Sequence, residues 1–182
     1  MDPMTQVPCS GPVLRLFSAA LDARREGAAE HALEVLDRAV NLDGRCADAV
    51  RARGLLLLEM GKLDRAAADL DRTVRLAPDC ARCELERGTV YLVCGRPEVA
   101  LTAFERALAL EPDLAAAHAS RAAALVRLGR LEEALEAISI AVAARPDSDG
   151  DLHNRAVVQT ALGRHEEAIR DYERALAINP KS

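Results

Sequence analysis

The chain of 182 residues is 50% hydrophobic but has no Trp, two Phe and two Tyr, so its apolar content is mostly Ala, Leu and Val. That composition favours helices over strands. A net charge of −5, with 29 acidic residues interleaved among 24 basic ones, leaves no dominant basic face and argues against a nucleic acid partner. No apolar run approaches the roughly 20 residues of a membrane helix; the run from Leu55 to Leu58 stops at Glu59, so membrane insertion is not expected.

The opening residues, MDPMTQVPCSGP, carry three Pro and lack the basic start and apolar stretch of a secretory signal. A disordered segment is expected over 1–12. From residue 13 the chain repeats every 34 residues without an insertion, in units 13–46, 47–80, 81–114, 115–148 and 149–182. Gly holds the fifteenth place of every unit (Gly27, Gly61, Gly95, Gly129, Gly163), and Ala the twentieth (Ala32, Ala66, Ala100, Ala134, Ala168). The eighth place is always small: Ala20, Gly54, Gly88, Ala122 and Ala156.

Apolar residues run at helical spacing up to each Gly and then resume, as in Val50, Leu57 and Met60 before Gly61 and Leu63, Ala66, Leu70 and Leu76 after it. Gly ends a helix in the left-handed conformation at no steric cost. Pro78, Pro112, Pro146 and Pro180 stop the second helix of four units, and Gly44 takes that place in the first. Each unit is therefore expected to be a helical hairpin, its small residues letting the two helices approach closely.

These residues resemble the tetratricopeptide repeat (TPR) family. Segments such as GLLLLEMGKLDRAAADLDRTVRLAP carry its small–small–Ala–Pro spacing, although Glu84, His118, Ala23 and Gln159 stand where the family often has Trp, Leu or Tyr. The resemblance implies an all-α, right-handed superhelical solenoid of five hairpins over 13–182, with the first helix of each hairpin lining a concave groove. Carried over place by place, the groove residues are Phe17 and Leu21 in the first repeat and Arg51, Leu55 and Leu58 in the second. Arg82, Leu85, Thr89, Leu92 and Val93 follow in the third, Ala119, Ala123, Val126 and Arg127 in the fourth, and His153, Asn154 and Val157 in the fifth. Such a groove is apolar along its middle, with Arg51, Arg82 and Arg127 at its edges to orient a ligand. A peptide or amphipathic helix is the expected partner. The family's carboxylate clamp for acidic tails is absent, and so is its asparagine ladder, of which only Asn154 is present.

Catalytic chemistry is not apparent. His31, His118, His153 and His165 share no helix face at ligand spacing, and every Gly of the repeat frame serves a turn, so no catalytic site, metal site or cofactor is expected. Five cysteines (Cys9, Cys46, Cys80, Cys83, Cys94) are too few and too odd in number for a secreted disulfide framework. A reducing, cytoplasmic setting with cysteines as small buried hydrophobes is the expectation, Cys80-Ala81-Arg82-Cys83 being the one pair that could take a redox or metal role. Arg recurs at the seventh place in Arg53, Arg87, Arg121 and Arg155; Asp69 and Asp171 lie sixteen residues after the first and last, which predicts the ion pairs Arg53–Asp69 and Arg155–Asp171.

The chain stops just after the last hairpin, so Ile169, Tyr172, Leu176 and Ile178 lack the following helix that would cover them. End-to-end homodimers through that edge are expected. The functional expectation is a non-enzymatic adaptor or scaffold for protein partners; the alternatives are the recognition arm or a fragment of a larger enzyme or assembly machine, or a self-associating scaffold.

Overall fold

The computed structural model describes residues 9–180. Among these the chain forms ten helices and no strand: α1 (Gly11–Arg25), α2 (Ala29–Leu42), α3 (Ala47–Glu59), α4 (Leu63–Leu76), α5 (Ala81–Val93), α6 (Pro97–Leu110), α7 (Ala115–Arg127), α8 (Leu131–Ala144), α9 (Asp149–Ala161) and α10 (His165–Ile178). Every repeat supplies two consecutive helices. The residues fall into two compact units, an N-terminal one ending at Cys94 and a C-terminal one beginning at Gly95. The third repeat therefore contributes one helix, α5 or α6, to each.

The turn inside each hairpin follows from its glycine. Gly61 has φ of 71° and Gly129 of 73°, values that a side chain would make costly. That left-handed step turns the chain so that the next amide reaches back into the helix, as in Lys62 N–H to Leu57 O at 2.8 Å and Arg130 N–H to Leu125 O at 2.9 Å. Carbonyls orphaned by the end of one helix are thus satisfied within three residues, and the next helix starts antiparallel.

Small side chains decide how closely the two helices then pack. A Cβ at Gly54 would lie 3.1 Å from the Asp69 Cβ and 3.2 Å from the Leu70 Cγ, so α3 and α4 touch at nearly backbone distance there. The recurrent alanines Ala32, Ala66, Ala100, Ala134 and Ala168 are all buried. In the N-terminal unit they frame a core that includes Leu36, Leu56, Leu57, Leu70 and Val90. In the C-terminal unit Leu125, Ile138, Leu152 and Val142 are buried, the last two packing with Ala175. Thr73 replaces the usual Ala without leaving a bare hydroxyl, because its Oγ1 donates to Asp69 O at 2.9 Å.

Both expected ion pairs form. Arg53 grips Asp69 through two bonds of 2.7 Å, and Arg155 grips Asp171 through bonds of 2.6 and 2.7 Å. Donating these hydrogen bonds to Asp69 and Asp171 raises the pKa of each guanidinium above its ordinary value, against the opposing effect of burial. Because folding raises that pKa, the arginine's own contribution is present below its ordinary value and is lost only as pH rises through the higher folded value, in strong alkali. A second partner was not foreseen: Arg53 also donates to Asp37, sixteen residues before it and one hairpin back, at 2.9 Å. Arg87 repeats the arrangement with Asp71 at 3.2 Å, adding Glu84 at 2.8 Å.

Cysteine expectations need correction. Cys9 and Cys46 are joined by a disulfide, as are Cys80 and Cys83, which leaves Cys94 as the free thiol. Cys46 finds its partner in Cys9, which lies in the segment expected to be disordered. At 9–12 that segment is ordered: Cys9 is bonded to the start of α3, and Gly11 and Pro12 already belong to α1. Residues 1–8 lie outside the described residues. Disulfides persist in oxidising surroundings, so cysteine count no longer argues for a reducing compartment. No helix among the described residues is long and apolar enough to cross a membrane.

The ion-pair geometry sets an expectation for stability. Asp69→Ala strips two bonds from an Arg53 side chain that is 14% exposed, leaving Asp37 as its partner; a loss of about 2 kcal/mol in urea unfolding is expected. Arg121, whose charge acts on Glu133 through space, should tolerate Ala with a loss under about 1 kcal/mol.

Candidate functional surface

The first helices of successive hairpins, α1, α3 and α5 in one unit and α7 and α9 in the other, carry all the residues assigned to the groove. Their side chains sit in two different environments. In the N-terminal unit Phe17, Leu21, Leu55, Leu58, Leu85, Thr89 and Leu92 are half-buried, and only Arg82 and Val93 are exposed. Phe17, Leu55 and Leu58 pack directly against the buried core cluster. Much of the expected apolar strip is thus inter-helix packing.

Charge on this face is also spent internally. Arg24 of α1 pairs with Glu59 of α3, and Arg51 of α3 with Glu86 of α5 at 3.0 Å, each across 35 residues. Arg82 reaches the same Glu86 carboxylate at 3.2 Å. Arg51 and Arg82, expected to orient a ligand, therefore neutralise a carboxylate of their own chain. The 35-residue step follows from helices lying side by side one repeat apart, with one residue of stagger.

The C-terminal unit keeps its equivalent surface open. Here Ala119 and Ala123 replace bulky groups, and a cavity of about 180 Å³ opens between α7, α8 and α9. Its lining is Ala119, Ala122, Ala123, Val126 and Arg127 from α7, Ile138 from α8, and Asn154, Val157 and Val158 from α9. Six of these nine were assigned to the groove from the sequence; Ala122, Ile138 and Val158 were missed, since they are core-facing residues that only the gap between helices brings to the surface. Arg127, Asn154 and Val157 are exposed, and neither Arg127 nor Asn154 makes an ion pair or side-chain hydrogen bond among the described residues. His153 turns away from the cavity's lining to meet the Tyr172 ring edge-on at 5.5 Å. On α10, Ile169 and Leu176 are 56% and 50% exposed, Ile178 is exposed, and Tyr172 is half-buried.

Models of the tetratricopeptide repeat match residues 14–81, 85–149 and 152–182, nearly the full length. The chain belongs to the tetratricopeptide repeat family. No curated protein matches its sequence. Among solved structures, MamA residues 41 to the end from Desulfovibrio magneticus RS-1 superposes with a TM-score of 0.85 at 20% identity, covering 96% of this chain and 98% of that one. A MamA RS-1 double mutant gives 0.85 at 20% identity over 94% and 97%. YrrB, described as a TPR protein with an unusual peptide-binding site, gives 0.73 at 22% identity over 91% and 86%. These likenesses establish the all-α helical-hairpin solenoid fold of this chain.

Packing and exposure separate the two halves of the assigned surface experimentally. Leu58→Ala should cost about 1–2 kcal/mol, since half-buried Leu58 contacts the core, whereas Val157→Ala should change stability by under about 0.5 kcal/mol. Thermal melts of the two variants beside the parent chain measure the contrast.

Proposed function

We propose that the chain is a non-enzymatic protein-interaction module that captures a peptide or amphipathic helix against its first helices, one apolar side chain of the ligand seated in the cavity between α7, α8 and α9. The cavity is the observation that carries this reading. At about 180 Å³ it far exceeds the roughly 30 Å³ share of one water, and aliphatic side chains dominate its lining. A gap of that kind binds water poorly and gains by filling.

The two polar residues in the lining define the rest of the ligand. Asn154 has an amide with both donors and an acceptor, suited to a peptide backbone. Arg127 presents a guanidinium able to bind a carboxylate through two parallel bonds. A ligand with a large apolar residue close to an acidic group fits both. Burying that residue contributes about 1.5–3 kcal/mol, so several contacts of this size, less the cost of association, correspond to micromolar affinity. YrrB, with its described peptide-binding site, is a precedent for peptide capture on this fold.

Peptides selected from a displayed random library against the intact chain test the reading. They should share a large apolar residue, and Ala119→Leu, which fills the cavity, should weaken them at least about tenfold (~1.4 kcal/mol) while the melting temperature holds. Selected peptides indifferent to Ala119→Leu would rule the cavity out as the anchor.

Exposed Ile169 and Leu176 favour a second reading, self-association through α10. Sedimentation equilibrium of the intact chain should then show dimers at high concentration, reverting to monomers in the Ile169→Glu, Leu176→Glu variant.

A further inference from the structure

We propose that Cys80 and Cys83 are a reversible thiol–disulfide site that exchanges electrons with a low-molecular-weight thiol. The two residues span the first turn of the 13-residue helix α5, with Cys80 as its N-cap and Cys83 three residues on. Cys80 Sγ accepts a hydrogen bond from the Cys83 backbone N–H at 3.1 Å. Free helix N–H groups and the positive end of the helix dipole favour a thiolate at that sulfur, and such a thiolate is both a nucleophile and a good leaving group.

A comparison within the chain separates this disulfide from a purely structural one. Cys46 occupies the same place one repeat earlier, caps α3, and accepts from Ala49 N–H at 3.4 Å. It is only 1% exposed, and its bond to Cys9 spans 37 residues, tying the leading segment to α3. The Cys80–Cys83 bond spans three, so it constrains little of the unfolded chain. Backbone bonds already hold the start of α5, with Cys83 N–H to Cys80 O at 3.0 Å and Glu84 N–H to the same oxygen at 3.2 Å. Opening the disulfide therefore leaves the helix intact.

Exposure gives the exchange a direction. Cys80 is half-exposed and Cys83 is 4% exposed, so an incoming thiolate reaches Cys80 Sγ. Attack there forms a mixed disulfide and breaks the Cys80–Cys83 bond, the electron pair leaving on Cys83 sulfur, which takes up the proton the attacking thiol released. A second thiolate then attacks the small-molecule sulfur of the mixed disulfide. Cys80 leaves as a thiolate held by the Cys83 N–H, and it is protonated in turn. The net change is one protein disulfide and two thiols converted to a protein dithiol and one small-molecule disulfide. Cys94, the free thiol, caps the far end of α5 and lies roughly 20 Å along the helix from Cys80 at 1.5 Å per residue, so it is no competitor for the exposed sulfur.

The test is a redox titration of the intact chain in buffers of reduced and oxidised glutathione, quenched by alkylation and read by mass spectrometry of the digested peptides. Cys80 and Cys83 should pass between disulfide and dithiol in a single reversible two-electron transition, with helicity by circular dichroism unchanged and Cys9–Cys46 still oxidised. In Cys83→Ser, oxidised glutathione should trap an adduct on Cys80 at least tenfold faster than it modifies Cys83 in Cys80→Ser. Reduction that requires loss of helicity, reduction only together with Cys9–Cys46, or equal adduct rates in the two variants would each overturn the proposal.

Discussion

The close approach of the two helices in the hairpins α1–α2, α3–α4, α7–α8 and α9–α10 is the constraint on which the rest of this structure depends. It requires a turn that reverses the chain in three residues and side chains small enough to let backbones meet. Left-handed glycines such as Gly61 supply the first, and the buried alanines with Gly54 supply the second. Once α3 and α4 lie against each other, Arg53 and Asp69 are brought within 2.7 Å, although sixteen residues separate them. The same reversal in the last repeat brings Arg155 onto Asp171.

Stacking of one hairpin on the next then creates a second set of pairs, and these settle where charge remains available. Asp37 reaches Arg53 and Asp71 reaches Arg87 on one side of the N-terminal unit, while Arg24–Glu59 and Arg51–Glu86 close the other. The partly buried Arg51, Arg53 and Arg87 in such pairs hold the stack in register, their guanidinium groups already engaged within the chain. In the C-terminal unit the same 35-residue step joins Ala119 to Asn154, neither of which carries charge. Small and uncharged residues at these places leave a gap, and the cavity between α7, α8 and α9 is that gap.

Cysteines follow a related logic. Cys46 and Cys80 hold the same place of the repeat and cap successive first helices through the same kind of sulfur–amide hydrogen bond. What distinguishes them is the neighbour each finds, since Cys9 comes from a distant part of the chain and Cys83 from the same turn. One bond is a tether across elements, the other a local closure. That difference in loop length and exposure is why only the second is suited to exchange.

Period, helix count, turn positions and the Arg53–Asp69 and Arg155–Asp171 pairs were determined by the sequence itself, because each depends on spacing along one or two consecutive helices. A glycine that must be left-handed and an alanine that must be small act locally, and five copies of the same pattern leave little room for another reading. Which of the residues assigned to the groove pack inside and which stay open was decided only in the tertiary structure. Leu55 and Leu58 are indistinguishable by pattern from Val126 and Val157, yet the former pack on a core cluster and the latter line an open cavity. That outcome depends on the volume of side chains one repeat away, as does the neutralisation of Arg51 by Glu86 and the capture of Cys9 by Cys46. Packing adds contributions from residues 35 or more positions apart, and a local pattern carries no term for them.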